Sequence, residues 1–443
     1  MATLKPFDGL RYDPAKAGEM ATLVAPPYDV IDADARDRLY GRSPYNAVRL
    51  ILNREADPYA AAAGTLAEWR NSGVLARDPG PAFYLYAQRF SMPDGRERER
   101  IGLIGALRLE SFESGRVRPH ERTLSKAKED RLALLRACRT SLSPIFGLVT
   151  APDWHLRELI PGIPAEIHVE TAEGACDRVW RMTDPRAIAT VTERLASKEV
   201  FIADGHHRYE TALRYRDEVR AALGASAPPL GAALYDYVLT YLTTMEDPGL
   251  VILATHRVLR SLPMGPADFR AELARWFTIE ELPWSESGLR ALVARLEGAA
   301  GGAQSGDEAS LGVAVAGTGS LLLLSARTSS LPLPPDLPAA LRALDVTVLH
   351  QLILSRVLGL PIGDRGGAPG LSYTQDATKA FAAVTNAEAA AVFFLPPTGV
   401  EDLRAVSLAG LTMPEKSTYF HPKLLTGLVF YPVDDSAGLA GKR

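Results

Sequence analysis

Apolar and polar positions switch between two periods along this chain, most sharply around residue 204. Glu199-Val-Phe-Ile-Ala203 carries an unbroken apolar run that stops at Asp204-Gly205, which predicts a buried strand closed by a tight turn. Ala212, Tyr215, Val219 and Ala222 then recur at helical spacing and predict a helix from about Arg208 to Leu223 with these four inward. Glu210 and Arg214 stand one turn apart on its outer side, an acid-first pair of the favourable order. Upstream, Pro26-Pro27 forbids helix, Tyr45–Leu52 reads as a strand and Pro58–Val74 as a helix. Ala82–Phe90 and Arg100–Leu109 predict paired strands around a Pro93-Asp94-Gly95 turn, and Ser125–Arg139 a helix with Leu132, Leu135 and Cys138 on one face.

The register changes after Asp247-Pro-Gly. A strand at Val251–His256 is followed by two helical stretches between Pro266 and Glu297, and by a flexible Ala/Gly loop at Gly298–Glu308. Leu311–Ala316 and Leu321–Ser325 predict a hairpin, and Pro338–Leu358 a helix with proline in its first turn. Strand and helix alternate twice from Ser372 to Ala409, and Thr426–Val433 predicts a closing strand. The expected architecture is α+β, with a mixed sheet in each of two domains, 1–245 and 246–443.

Composition narrows the function classes. The 443 residues are 47% hydrophobic and 23% charged, with a formal net charge of −4, so no basic surplus suits a nucleic-acid backbone. Two cysteines, Cys138 and Cys176, are too few for a disulfide framework or a cysteine-built zinc site. The opening Met1–Gly9 has no apolar run, and Leu321–Leu324 and Ala389–Leu395 fall far short of the ~20 residues of a membrane span. A cytoplasmic protein without nucleic-acid or membrane partners is expected, and a homodimer is compatible with that.

The candidate chemistry gathers in three places. At Asp204-Gly-His-His-Arg208 a strand ends and a helix begins, so free backbone amides and the positive end of the helix dipole favour an anion, phosphate above all. His206, His207 and Arg208 add side-chain donors, and arginine can grip phosphate with two parallel bonds. The bland reading makes Asp204 an N-cap and the histidines packing. Around the Ser125 helix start, Lys126, Lys128 and Arg131 crowd the first turns, where cations oppose the dipole. They suit a bound anion or a solvated charged face equally. Glu121, on the loop before, is a candidate general base. Lys416-Ser-Thr-Tyr-Phe-His-Pro-Lys423 is either a surface turn or a segment that closes over a phosphorylated ligand. Neither a P-loop, a Gly-x-Gly-x-x-Gly cradle nor a Gly-x-Ser-x-Gly elbow occurs, and no two histidines have zinc-ligand spacing.

Lys5-Pro-Phe, Pro26-Pro-Tyr-Asp-Val30, His120-Glu-Arg-Thr123, Lys128-x-Asp130-Arg131, Ser143-Pro-Ile-Phe146, Ala203-Asp-Gly-His-His-Arg-Tyr209, Thr255-His-Arg257 and Met413-Pro-x-Lys-Ser-Thr-Tyr-Phe420 follow one another in the order of the domain-of-unknown-function family 1015, which the chain resembles. More distantly, the Asp-Gly-His-His-Arg turn is similar to the phosphate-binding turn of the ParB/sulfiredoxin superfamily, whose free serine kinases pair it with a His-Glu loop. That resemblance implies a ParB/sulfiredoxin-like N-terminal domain and a kinase moving phosphate from ATP or ADP to a hydroxylated metabolite, free L-serine first. It further implies Glu121 as base with His120 beside it, and Asp204 as substrate or Mg²⁺ partner. On that resemblance Gly205, His206, His207 and Arg208 would hold nucleotide phosphates. Beside it, the residues themselves make Lys126, Lys128, Arg131, Lys416, Ser417, Thr418 and Lys423 further phosphate candidates, and Thr123 and Tyr209 candidates for the substrate. Sulfiredoxin chemistry needs cysteine where His206 stands, and the chromosome-partition members carry a Gly-Glu-Arg-Arg turn that is missing here. A nucleotide-hydrolysing switch and a non-catalytic phosphometabolite sensor are the rival readings.

Overall fold

The computed structural model describes residues 3–92, 95–123, 125–171, 174–299, 308–363 and 367–434. The expected Pro93-Asp94 turn and most of the expected Gly298–Glu308 loop lie outside the described residues. The fold is mixed α+β, and it divides into two compact units. The first takes residues 1–118, 123–250 and 422–443, and the second takes 119–122 and 251–421.

The first unit is built on β1 (Leu4–Lys5), β2 (Phe83–Ser91), β3 (Glu97–Arg108), β4 (Val117–Arg118), β5 (Ile145–Val149), β6 (Ile167–Glu170), β7 (Cys176–Met182), β8 (Val200–Asp204) and β9 (Tyr237–Thr244). They form one sheet in the order β4-β8-β5-β9-β3-β2-β7-β6, with β1 also on β3. Most neighbours are antiparallel, whereas β8 with β4 and β9 with β5 run parallel. The expected hairpin of β2 and β3 is present, Tyr84 lying opposite Ile104. Around the sheet lie α1 (Pro58–Asn71), α2 (Ser125–Cys138), α3 (Pro185–Ala196) and α4 (His206–Leu223). A core of Leu103, Ile145, Ile202, Val238 and Tyr209 joins the sheet to α4.

In the second unit β10 (His256–Leu259), β11 (Thr278–Pro283), β12 (Glu308–Val315), β13 (Ser320–Arg327), β14 (Leu371–Thr374) and β15 (Ala391–Phe394) form a sheet ordered β11-β13-β12-β15-β10-β14. The hairpin expected at Leu311–Ser325 is β12 and β13, and every strand pair in this sheet is antiparallel. Helices α5 (Pro266–Ala274), α6 (Glu286–Gly298), α7 (Ala377–Thr385) and α8 (Val400–Leu408) complete it.

Five local expectations are corrected. Tyr45–Leu52 is not a strand: Val48–Ile51 is a helical turn, because Asn46 accepts from the Val48 amide at 2.9 Å and donates to the carbonyl oxygens of Thr22 and Val24 at 2.7 and 3.0 Å. Val251–His256 breaks after Val251–Ile252, which pairs with Phe420–His421. Pro338–Leu358 is interrupted at Leu344, which is extended, and winds wide over Leu349–Val357. Thr426–Val433 is interrupted by Gly427 at φ +106°, and only Tyr431–Pro432 pairs as a strand, with Thr140–Ser141. Glu210 and Arg214 do not pair with each other. Glu210 takes Lys128, and Arg214 takes Glu129 and Glu218, since partners on α2 and one turn further along α4 compete successfully.

Candidate functional site

The turn after β8 is shaped before any ligand is considered. Ile202 pairs with Gly147 and Asp204 with Phe146, so two residues of β8 oppose one of β5 and the strand bulges at Ala203. Bulges re-aim the side chains that follow them. Gly205 then takes φ +94°, a conformation that disfavours side chains, and a Cβ there would meet the Arg208 guanidinium at 3.0 Å. Helix α4 starts at once, with Gly205, which has no side chain to cap with, as its N-cap. The bland reading, in which Asp204 is the cap, therefore does not hold.

Asp204 instead binds two cations. Its Oδ2 accepts from Arg208 Nη2 at 2.5 Å and its Oδ1 accepts from Lys423 Nζ. The side chains of Asp204, Arg208 and Lys423 are 17%, 12% and 14% exposed. Burial alone would raise this carboxyl, but Lys423, Arg208 and the buried His206 hold it well below the ordinary carboxylate range. Arg208 also donates to the Pro144 carbonyl. The guanidinium thus fastens the turn to β8 and to the entry of β5, and is not held out as the two-pronged phosphate clamp expected of it.

Lys423 arrives from the other end of the chain on a segment gripped by a buried polar network. Arg100, fully buried on β3, donates to Gln88 and to the Pro422 carbonyl, the latter at 2.7 Å. Gln88 Nε2 donates to Asp177 at 2.8 Å and to the Lys423 carbonyl at 3.3 Å. Tyr86 donates to Asp177 at 2.5 Å. Further along, Thr426 exchanges backbone bonds with Ala25 and shares a 2.7 Å hydroxyl contact with Ser143. The ammonium is aimed by these backbone contacts.

The cations of α2 fare differently. Lys128 donates to Glu210 Oε2 at 2.8 Å, and Thr123 donates to the other oxygen of the same carboxylate at 2.8 Å. Arg131 pairs with Asp130, donates to the Ile51 carbonyl at 2.9 Å, and lies 4.2 Å over the Tyr28 ring. Lys126 is exposed. Tyr209 is fully buried, its hydroxyl bonded to the Glu110 backbone, so it anchors α4 and does not face a substrate.

The second unit gathers a group of its own. The His120 carbonyl accepts from the Met413 amide at 2.8 Å, and His120 Nε2 lies 2.9 Å from Thr418 Oγ1. Glu121 forms a bridge with Met413, which ties the His-Glu loop to Lys416-Ser417-Thr418. Ser417 donates to the Pro414 carbonyl at 2.5 Å, and Lys416 holds φ +59°, uncommon for a side-chain-bearing residue. The Lys416–Lys423 stretch, expected to act as one loop, is divided: Lys416–Thr418 meets His120, and Lys423 meets Asp204.

The sequence matches the model of the family described as protein of unknown function (DUF1015) over residues 4–347. The chain belongs to the DUF1015 family. Among solved structures it is similar to a conserved hypothetical protein from Pyrococcus furiosus, at 14% identity and a TM-score of 0.32 over 70% of this chain and 89% of that one. It is also similar to a free serine kinase in complex with AMP, at 11% identity and a TM-score of 0.33 over 69% and 84% of the two chains. A C-terminally truncated SbnI from Staphylococcus aureus gives 13% identity and a TM-score of 0.34 over 76% and 93%. No curated protein sequence matches. Among the described residues no helix is long and apolar enough to cross a membrane.

Two pieces of the family signature had no role assigned from sequence. Tyr28, in Pro26-Pro-Tyr-Asp-Val30, lies against Arg131, and Ser143, in Ser143-Pro-Ile-Phe146, binds the segment that delivers Lys423. Their membership in the ordered signature was the signal available. Lys423 lies beyond the matched 4–347, and the sequence grouped it with Lys416 as a phosphate candidate without any sign of Asp204 as its partner. Asp204 does not fit a protein-held Mg²⁺, since both its oxygens already accept from cations. Among the described residues no group of three or more His, Cys, Asp or Glu could hold a metal ion.

Proposed function

We propose that this DUF1015 protein is a nucleotide-dependent small-molecule kinase, and that its first unit is a ParB/sulfiredoxin-like module holding donor phosphates at residues 205–208. The observation that carries the reading is the start of α4 directly on a positive-φ glycine that bears no capping side chain, flanked by an acid already neutralised by Lys423 and Arg208. A phosphate there meets backbone amides, the positive helix end and His206–His207. Asp204, saturated by its own cations, adds little repulsion. Phosphoryl transfer needs positioning and charge neutralisation more than covalent help, which suits such a site. Metal, where required, would come with the nucleotide.

Glu121 is the proposed base for the acceptor hydroxyl, with His120, Lys416, Ser417 and Thr418 in its group, and free L-serine is the first acceptor to test. ATP and ADP are the donors to compare. Incubation with each donor and a panel of hydroxylated metabolites should give acceptor-dependent nucleotide turnover and a phosphorylated product by mass spectrometry. Glu121→Gln should lower the acceptor-dependent rate by about 10²–10⁴-fold, the usual contribution of a positioned base, with nucleotide affinity unchanged. Turnover without any acceptor would point to a hydrolytic switch, and binding without turnover to a sensor.

A further inference from the structure

Between α2 and α4 lies a cavity of about 60 Å³, several times the roughly 10–15 Å³ that one water fills. Ile51, Leu134, Leu135, Leu142 and Ala212 make most of its wall apolar. Of its hydroxyl-bearing liners, Thr140 and Ser143 have partners of their own, and Thr211 stands apart. It is 3% exposed and lines the cavity, and its hydroxyl has no hydrogen-bond partner. Leaving a buried hydroxyl unpaired costs about 1–3 kcal/mol, so the group needs an explanation that packing does not give. A largely apolar slot with a few fixed polar contacts is the usual make-up of a small-molecule site. Two further observations say what kind of molecule. Tyr28 and Arg131 line the same cavity with the guanidinium lying over the ring, which makes a flat aromatic and cationic surface. Arg208 lines it too, so the slot adjoins the Asp204 turn.

We infer that this cavity receives the edge of a planar heteroaromatic ring, with the Thr211 hydroxyl bonding a ring nitrogen and the Tyr28–Arg131 surface against its face. The ring is the nucleobase of the nucleotide whose phosphates sit at residues 205–208, and to that extent the inference rests on the proposed function. A ring in the slot would satisfy Thr211 and leave the apolar walls dry.

Calorimetry on the full chain with ATP, inorganic tripolyphosphate and adenosine separates the two claims. Ala212→Leu narrows the slot, and Thr211→Val keeps its shape while removing the hydroxyl. ATP and adenosine should bind at least about tenfold more weakly to Ala212→Leu and about five- to tenfold more weakly to Thr211→Val, with tripolyphosphate unchanged. Thermal melts check that each variant is folded, and Thr211→Val alone decides the matter if Ala212→Leu is not. Native ATP and adenosine affinity in the folded variants overturns the cavity assignment and leaves the phosphate turn standing. Adenosine binding with the expected variant pattern, but without tripolyphosphate binding, keeps the cavity and overturns the turn. Failure of both ATP and adenosine to bind the native protein overturns both.

Discussion

Asp204 in the first unit and Asp345 in the second are acids placed where burial opposes their charge, and their carboxyls move in opposite directions. Around Asp204, Lys423 and Arg208 outweigh burial and hold the carboxyl well below its ordinary range. Asp345 lines a small cavity that Arg257 and Asp402 also line. Burial pushes Asp345 up to about 7, against the pull of a 2.8 Å bond from the Ser310 amide and with the charge of Asp402 adding to the rise. Arg257, fully buried, binds the carbonyls of Thr255, Glu415 and Lys416, and burial lowers it to about 10. Among the described residues no ion pair joins it to Asp345. A buried acid stays ionised where cations reach both its oxygens and becomes a proton carrier where they do not. Both stand at a helix start, Asp345 as the first residue of Asp345–Val348, so it is the cations that separate them.

The largest effect should come from breaking the first arrangement. Asp204→Asn leaves Lys423 and Arg208 facing each other with little solvent, and should cost about 3–5 kcal/mol in urea unfolding at neutral pH. The sign with pH follows from the depressed carboxyl. Its contribution is present above the unfolded-state value of an ordinary aspartate and is lost only as pH falls through the lower folded value. The Asn variant should therefore lose this acid-side dependence. A loss under about 1 kcal/mol would mean that the ion pairs are dispensable.

Asp345→Asn should act the other way. The folded state binds a proton that the unfolded chain gives up near 4, so native stability should fall as pH rises from about 4 to about 7 and then level. The Asn variant should flatten that slope and be more stable at pH 8 by roughly 2–4 kcal/mol, scaled from the size of the shift. Melting temperatures measured from pH 4 to 8 check this, and parallel curves for the two proteins would contradict it.

The smallest effect tests whether charge without enclosure matters. Lys128, 34% exposed and paired with Glu210, should cost under about 1 kcal/mol on replacement by Ala. A loss comparable to that of Asp204→Asn would show that the cations of α2 belong to the site after all.

This contrast also marks what could be read from the chain. The strand, turn and helix around Asp204 were legible because apolar period, glycine and helical spacing agree over one continuous stretch. The partners of Asp204 were not, because Lys423 comes from more than two hundred residues away and is aimed by backbone contacts to Arg100 and Gln88. Lys126, Lys128 and Arg131 looked like an anion site for the complementary reason: one helix shows its cations, while Glu210 and the Ile51 carbonyl that occupy Lys128 and Arg131 lie on other segments. Asn46 turned an apparent strand into a helical turn by bonding to carbonyls of Thr22 and Val24, which no periodicity records.

The central claim, that the start of α4 holds nucleotide phosphate, is tested most directly by amide spectra of the full chain labelled with ¹⁵N-histidine, which simplifies the spectrum to its eight histidines. On titration with ADP, the backbone amides of His206 and His207 should shift saturably, and those of His155 and His168 should stay in place. Gly205→Ala should weaken the response, because the turn must keep its positive φ. Binding of ADP that moves other histidine amides while His206 and His207 remain still would contradict the account.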